Sequence, residues 1–418
     1  MNPDSGSDKR RPRDGRSARL VAAARVGLVA LLACATVWSA WVVVSLTSRP
    51  ENEASGSREL REALTPEGGS KPVTYLLVGV DAASPSKGPR SDTLMLVQLD
   101  TGTRRLWMVS IPRDTRVQVA GHGFVKINAA RALGGAPLSI RTVEEFLGVA
   151  VNHYAEVDWG GFQRLVDDLG GVWIDVPETV DDRKAATHSV DPRTAHIDAG
   201  YQLLDGAHAL TFVRTRQSLD ADFSRMRYQQ AMLQALIRRA ATPSNAIRAP
   251  WFIGRSSRYI VTDMTPLAVL AAVARIVTVS GKGVQTATVV GDWRSPFVWP
   301  DPGARQAISE ALRLGRDFDA RASGFSVTVA DGSGVPGAAK AVVAKLKELG
   351  FHVERLGVAP SLVSQTAVVY EAANANRTDA ERAAKALGGV ATIDGRDHYK
   401  FTTELLVVIG GDWDTRSP

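Results

Sequence analysis

The chain has one cysteine, Cys34, in 418 residues. Neither a disulfide framework nor a cysteine-based zinc site can form within one such chain. The seven histidines are few, and His122, His153 and His208 show no ligand spacing, so surface or satisfied-core roles suit them better than metal binding. The common signatures of nucleotide and acyl-transfer sites are missing as well. There is no Walker-type loop, no glycine fingerprint after a strand and no G-x-S-x-G element. The chemistry left open is that of carboxylates, arginines and lysines. Charged residues make up 22% and hydrophobic residues 44%, the balance of a mostly globular chain long enough for more than one domain. The formal charge is +6 and the pI about 9.5. Mild basicity fits a membrane surface, phosphate or nucleic acid without choosing among them.

Residues 1–25 form a basic tail carrying Lys9, Arg10, Arg11, Arg13, Arg16 and Arg19, with residues 1–19 expected to be disordered. Residues 26–46 contain no charge. As a helix they would span roughly 32 Å, enough for a bilayer core of about 30 Å. Arg25 can snorkel to the inner surface, Trp38 and Trp41 approach the outer interface, and the basic cluster keeps the N-terminus cytoplasmic. The run is long for a signal peptide and no small-x-small site follows it. The sequence therefore predicts a single-pass anchor in the cell membrane, with the rest of the chain extracytoplasmic. Residues 47–71 have the Pro, Gly and Ser content of a linker. A tail this short cannot hold a DNA-binding fold, so nucleic acid is not an expected partner.

The first folded unit is expected over 72–318. Residues 75–80, 94–99 and 106–111 are short apolar runs bounded by turn residues, which suits strands covered on both faces. Their ends carry Asp81, Arg90, Asp92 and Arg113, and Lys126 follows in a glycine-containing turn. Open α/β sheets place ligands at such strand ends. Helices are predicted over 138–147 and 159–169, a strand over 172–177, and a polar loop over 180–199. The apolar run 209–213 leads into Arg214 and Arg216. A helix from 222 to about 240 puts Asp222, Arg225 and Gln229 within a roughly 60° arc that later becomes core. Buried polar groups need partners, so this face calls for an ion network or a ligand. Carboxylates without histidine or cysteine favour a hard ion such as Mg2+, and several arginines suit phosphate oxygens. The same residues also read as loop-end salt bridges, with Asp222 a capping residue paired to Arg225.

A second unit over 325–411 reads as βαββαβ, a small two-layer α+β domain without a cluster of catalytic residue types. Its Asp331-Gly332-Ser333-Gly334 turn suits a plain turn or a phosphate loop.

An ordered set of motifs carries a resemblance. Val78-Gly79-Val80-Asp81, Arg90-Ser91-Asp92-Thr93, Ser110-Ile111-Pro112-Arg113-Asp114, Lys126-Ile127-Asn128-Ala129-Ala130, Arg214-Thr215-Arg216 and Asp222-Phe223-Ser224-Arg225 with Gln229-Gln230 resemble the LytR-CpsA-Psr family. The segment from Phe325 resembles the LytR-type accessory domain found C-terminal in many such proteins. The resemblance implies an α/β fold with a central mixed sheet flanked by helices. It implies a transferase that moves a glycopolymer from a polyprenyl-pyrophosphate carrier to the 6-hydroxyl of peptidoglycan N-acetylmuramic acid. Asp81 and Asp92 would hold magnesium. Arg90, Arg113, Lys126, Arg214, Arg216, Arg225 and Gln229 would clamp phosphate oxygens, Asp222 would orient the arginines, and the lipid tail would enter an apolar pocket between sheet and helices. Two positions depart from the pattern. Tyr228 stands where an arginine is frequent, and Asp331 where asparagine is frequent. The alanine-, arginine- and valine-rich composition points to a high-GC actinobacterium, whose polymer would be arabinogalactan. A lipid pyrophosphatase and a non-enzymatic envelope scaffold are the competing readings. Oligomeric state is not legible.

Overall fold

The computed structural model describes residues 56–69, 72–81, 90–186, 192–216, 221–242, 244–245, 260–279, 283–318, 326–359, 361–370, 377–395, 403 and 405–413. The basic tail and the anchor predicted over 26–46 lie outside the described residues. Among the described residues, no helix is long and apolar enough to cross a membrane.

The first element corrects an expectation. The linker assigned to 47–71 contains a helix, α1 (Gly56–Ala63). Its Leu60 is buried in the main core, with Ala63 and Leu64 packed beside it. Proline, glycine and serine dominate this stretch, and three apolar side chains were too weak a signal to override them.

Three apolar runs become β1 (Val73–Asp81), β2 (Arg90–Asp100) and β3 (Arg105–Ser110). The hairpin β4 (Arg116–Val119) and β5 (Gly123–Lys126) follows, then α2 (Ala129–Leu147), β6 (His153–Asp158), α3 (Trp159–Asp168) and β7 (Val172–Val176). The stretch expected as a polar loop holds the two-residue strands β8 (Val180–Asp181) and β9 (His196–Ile197), paired with each other. Next come β10 (Gly200–Leu204), α4 (Gly206–Arg214), α5 (Ala221–Ala240), β11 (Ile260–Thr262), α6 (Pro266–Val277), β12 (Val284–Thr288), β13 (Gly291–Arg294), β14 (Phe297–Pro300) and α7 (Pro302–Leu314). The helix predicted over 138–147 is the second half of α2. Gly134 and Gly135 break the element ahead of Pro137, with Gly135 at φ +67°, a conformation glycine adopts without a Cβ clash.

The central sheet has the order β11-β6-β1-β2-β3-β12. β1 runs parallel to β6, and β3 parallel to β12, while β2 is antiparallel to both of its neighbours. Strand alternation explains why apolar side chains fall on both faces of these runs. Leu76, Val78, Leu94, Leu96, Trp107 and Val109 pack into one core with α2 and α7. Tyr75, Met95, Val97, Leu99, Leu106 and Met108 pack on the opposite face against α5 and α6. A third cluster joins α3, α4 and α5 to β7 and β10. The result is a mixed α/β sheet covered by helices on both faces.

The C-terminal elements are β15 (Ser326–Asp331), α8 (Ala338–Glu348), β16 (His352–Val358), β17 (Ala367–Tyr370), α9 (Arg377–Ala386), β18 (Ala391–Asp394) and β19 (Leu405–Ile409). Their sheet order is β16-β15-β19-β17-β18, so the expected βαββαβ gains one strand. Every residue of β18 is exposed at a sheet edge, which leaves no alternation to read. Asp331 Oδ1 accepts from Ser333 N and Oγ at 3.0 and 2.6 Å, which closes the glycine turn locally.

Candidate functional site

β1, β3, β6 and β12 point the same way, so their carboxyl ends share one edge of the sheet, where open α/β folds hold ligands. β1 ends at Asp81, whose cross-strand partner is Arg90. The register then slips: Val80 faces Ser91 and Gly79 faces Thr93, leaving Asp92 as the extra residue of a bulge. Bulges re-aim side chains, and Asp92 Oδ1 accepts from Arg113 Nη1 at 2.7 Å. Glycine at 79 suits a crowded position, because a Cβ there would lie 3.1 Å from Thr93 Cβ and 3.8 Å from the Trp159 ring.

Arg113 sits in the turn after β3, closed by Thr115 N and Oγ1 donating to Pro112 O at 3.0 and 2.6 Å. Asn128 N donates to Arg113 O at 3.2 Å and Ile127 N to Thr115 O at 2.8 Å. These bonds hold the segment carrying Lys126 beside Arg113. Lys126 Nζ donates to Asp114 Oδ1 at 2.7 Å, and Arg113 Nε lies 3.6 Å from Asp114 Oδ2. Asp114 thus links the two cations, a role the sequence reading missed although the residue directly follows Arg113.

α4 delivers Arg214 as its last residue. Its Nη1 donates to Ala185 O at 2.8 Å and its guanidinium lies 5.5 Å from the Trp159 ring centre. Burial is the largest influence on it and holds its pKa below the usual arginine range, against the pull of Asp81 and Asp92. Arg216 is exposed, and its backbone N–H donates to Asp182 Oδ2 at 3.2 Å, as does Thr215 Oγ1 at 3.1 Å. Burial is again the largest influence on Asp182 and raises its pKa, but donors from Ala185, Arg216, Thr215 and Lys184 outweigh it and lower the pKa. Asp182 had no sequence signal, since it lies in a stretch without periodicity.

On α5, Arg225 is buried and Gln229 Nε2 donates to Val213 O at 3.3 Å, next to Arg214. Gln230 Nε2 donates to Ser110 Oγ at 2.9 Å and Ala287 O at 3.0 Å, fixing α5 to the ends of β3 and β12. Asp222 lies in the first turn of α5, but its side chain is outside the described residues. Tyr228 points into the α3–α4–α5 core, stacked on Phe212 at 4.7 Å, with its hydroxyl donating to Glu178 Oε1 at 3.0 Å. Arg90 is exposed at the rim.

The geometry therefore gathers Asp81, Asp92, Arg113, Lys126 and Arg214, with the Arg216 backbone and Gln229 tied to the same loops. Among the described residues, Ser91 Oγ, Asn128 Oδ1 and Trp159 Nε1 are buried and find no hydrogen-bond partner, and each adjoins a residue of this group. An unpartnered buried polar atom costs about 1–3 kcal/mol, so a polar ligand that reached them would be favoured. Among the described residues, no three His, Cys, Asp or Glu side chains form a metal cage. Magnesium needs only one or two carboxylates alongside substrate phosphates, and Asp81 with Asp92 fits that donor set.

The LytR_cpsA_psr family model matches residues 39–301, well over half of the chain. The chain belongs to the LytR-CpsA-Psr family. The model described as LytR cell envelope-related transcriptional attenuator matches residues 324–413. Among curated relatives of this family member, the polyisoprenyl-teichoic acid–peptidoglycan teichoic acid transferase TagV of Bacillus subtilis (strain 168) is 33% identical over 226 residues, 53% of this chain and 57% of the relative. A TagU of the same description from Bacillus cereus (strain ATCC 14579) is 41% identical over 178 residues, 42% of this chain and 55% of the relative. The match thus spans a little over half the length of these curated relatives. The crystal structure of B. subtilis TagV is similar with a TM-score of 0.52 and 30% identity, covering 59% of this chain and 97% of that one.

Proposed function

We propose that the chain is a membrane-anchored, magnesium-dependent phosphotransferase of the cell envelope. It moves a glycopolymer from a polyprenyl-pyrophosphate carrier to the 6-hydroxyl of peptidoglycan N-acetylmuramic acid. The supporting observation is the convergence of Asp81, Asp92, Arg113, Lys126 and Arg214 at one sheet edge, in a chain similar to proteins named as polyisoprenyl-linked transferases. Teichoic acid and arabinogalactan are both polymers of the proposed class.

Phosphoryl transfer asks mainly for positioning and charge neutralisation. Arg113 and Lys126 would bind phosphate oxygens from one side and Arg214 from the other, with Arg216, Arg225, Gln229 and Arg90 around them. Magnesium held by Asp81 and Asp92 would neutralise further pyrophosphate charge. The acceptor O6 attacks the glycan-side phosphorus. A new O–P bond forms, the P–O bond to the lipid phosphate breaks, and polyprenyl phosphate departs with the electron pair of the broken bond and the hydroxyl proton. The apolar tail would lie along the α5–α6 face of the sheet, a reading supported by Leu77, Leu233, Met264, Ile276 and Val284 being only partly buried there.

The full-length protein, incubated with lipid-linked glycan, peptidoglycan and Mg2+, should yield glycan joined to peptidoglycan. Phosphate release without acceptor labelling would replace this reading with a lipid pyrophosphatase. A folded Arg113→Ala protein that keeps its cellular role would replace it with a scaffold.

A further inference from the structure

A strip of exposed aromatic rings and cations runs outward from the site. Lys126 and Arg116 are cross-strand partners in the β4–β5 hairpin. The Arg116 guanidinium lies between two rings, 3.8 Å from the centre of Phe124 and 4.3 Å from that of Trp299. Lys126 Nζ lies 6.0 Å from the ring centre of Trp293, and Arg294 lies 5.5 Å from that of Trp299. The backbone fixes the two hairpins together: Val298 N donates to Asp114 O at 2.9 Å, and Thr115 bridges to Val298. Yet the rings stay open to solvent, with Trp293 58%, Phe124 55% and Trp299 38% exposed.

A core role does not account for these rings. Large exposed aromatics grouped on rigid hairpins mark a binding surface. The strip is continuous with the site through Lys126, which is bonded to Asp114. We propose that it holds the acceptor glycan strand, with Trp293 a positioning residue that stacks on a sugar of that strand. This rests on the transferase reading above.

The chemistry of the strip and its place beside the site select the acceptor saccharide as occupant. The apolar C–H face of a pyranose ring suits the electron-rich face of an indole, while Arg116, with Arg294 beside its partner Asp292 at 3.1 Å, complements the carboxylates that peptidoglycan carries. Displacement at phosphorus also keeps the attacking and leaving oxygens roughly in line. The leaving lipid would lie on the α5–α6 side, where Gln229 sits one helical turn before Leu233. The β4–β5 hairpin packs through Val117, Val119 and Val125 into the core on the other face of the sheet, so the strip lies on the side from which the attacking hydroxyl would arrive.

The test uses full-length protein, soluble peptidoglycan glycan fragments bearing stem peptides, polyprenyl pyrophosphate and lipid-linked glycan. Trp293→Ala should weaken binding of the fragments at least about tenfold and raise the acceptor KM similarly, with kcat nearly unchanged. Trp293→Phe should restore most of both. Affinities for polyprenyl pyrophosphate and for lipid-linked glycan should stay at wild-type values. Unaltered fragment binding in both Trp293→Ala and Trp299→Ala would overturn the proposal. So would a selective loss of lipid-linked glycan against bare polyprenyl pyrophosphate, which would assign the strip to the donor sugar. Wild-type protein that binds fragments through Trp293 but does not bind polyprenyl pyrophosphate would instead sink the transferase reading.

Discussion

Arg113 Nη1 and Asp92 Oδ1 stand 2.7 Å apart, joining the turn after β3 to the bulge at the start of β2. Both side chains are about a quarter exposed. A pair this solvated contributes on the order of 1 kcal/mol or less to stability. A charge aimed at a reacting phosphate is worth much more. Arg113→Ala should therefore leave the unfolding temperature nearly unchanged while lowering transfer by roughly 100- to 1000-fold. Arg113→Lys should recover little, since lysine lacks the planar two-donor fork. Parallel melting curves and single-turnover transfer assays check this, and a variant that melts early but transfers normally would make the pair purely structural.

The other end of the sheet carries a pH-dependent clasp. His153 Nδ1 lies 2.7 Å from Asp263 Oδ2 and Nε2 lies 2.7 Å from Glu67 Oε1. Two carboxylates ask both ring nitrogens to donate, which only imidazolium can do. Burial is the largest single influence and lowers the pKa, but the two carboxylates together raise it above 6.5. A raised folded-state pKa gives stability that is complete below the unfolded value and lost as pH rises through the folded one. The unfolding temperature should thus fall as pH rises above about 6.5, and His153→Gln should flatten that slope. Equal slopes in the two proteins would remove the clasp.

Much of this was legible in the sequence because the residues that make the sheet also frame the site. The runs around Leu76, Leu96 and Met108 are apolar on both faces, broken only by Gln98 and Ser110, since helices cover both faces. Their charged ends fall at one edge because β1 and β3 point the same way. The arc of Arg225 and Gln229 on α5 also turned inward. Periodicity failed where a segment takes its order from distant partners. α1 depends on Leu60 reaching the main core. α4 depends on contact with α3, where a Cβ on Gly206 would collide with Gln163 O. Asp114 and Asp182 gain their roles from cross-chain hydrogen bonds, which no local pattern announces.

Deleting the C-terminal unit should leave the chemistry in place. Val327, Val342, Leu346, Phe351, Leu405 and Trp413 pack in a cluster drawn wholly from residues beyond 326, while the main core ends with Leu312 and Phe318. No residue of the charged group lies past Arg225 and Gln229 on α5. A chain ending at Phe318 should fold and transfer glycan at a rate within about threefold of the full chain, a change of under 1 kcal/mol in barrier. Transfer lost from a truncated protein with a normal cooperative melt would show that the second unit supplies part of the site.

Glu156 offers the sharpest stability test. It is 5% exposed on β6 and takes Arg131 Nε and Nη2 from α2 at 2.5 and 2.8 Å, with the Tyr154 hydroxyl at 2.5 Å. Burial first, then the Glu156 charge, pushes the Tyr154 pKa far above its usual range, and the Glu156 hydrogen bond does the same for Arg131. Removing one partner strands the others, so Glu156→Ala should cost about 3 kcal/mol in urea unfolding, the low end expected because Arg131 keeps some solvent contact. The double replacement Glu156→Leu with Arg131→Met should cost far less, because no charge is left behind in the interior. The segment Lys126–Asn128 leads into α2, so the single variant should also weaken binding of polyprenyl pyrophosphate at Lys126, whereas the double variant should bind it at nearly wild-type strength. If both variants unfold at the same urea concentration, the cost arises from lost packing, and the ion pair is not what holds α2 to the sheet.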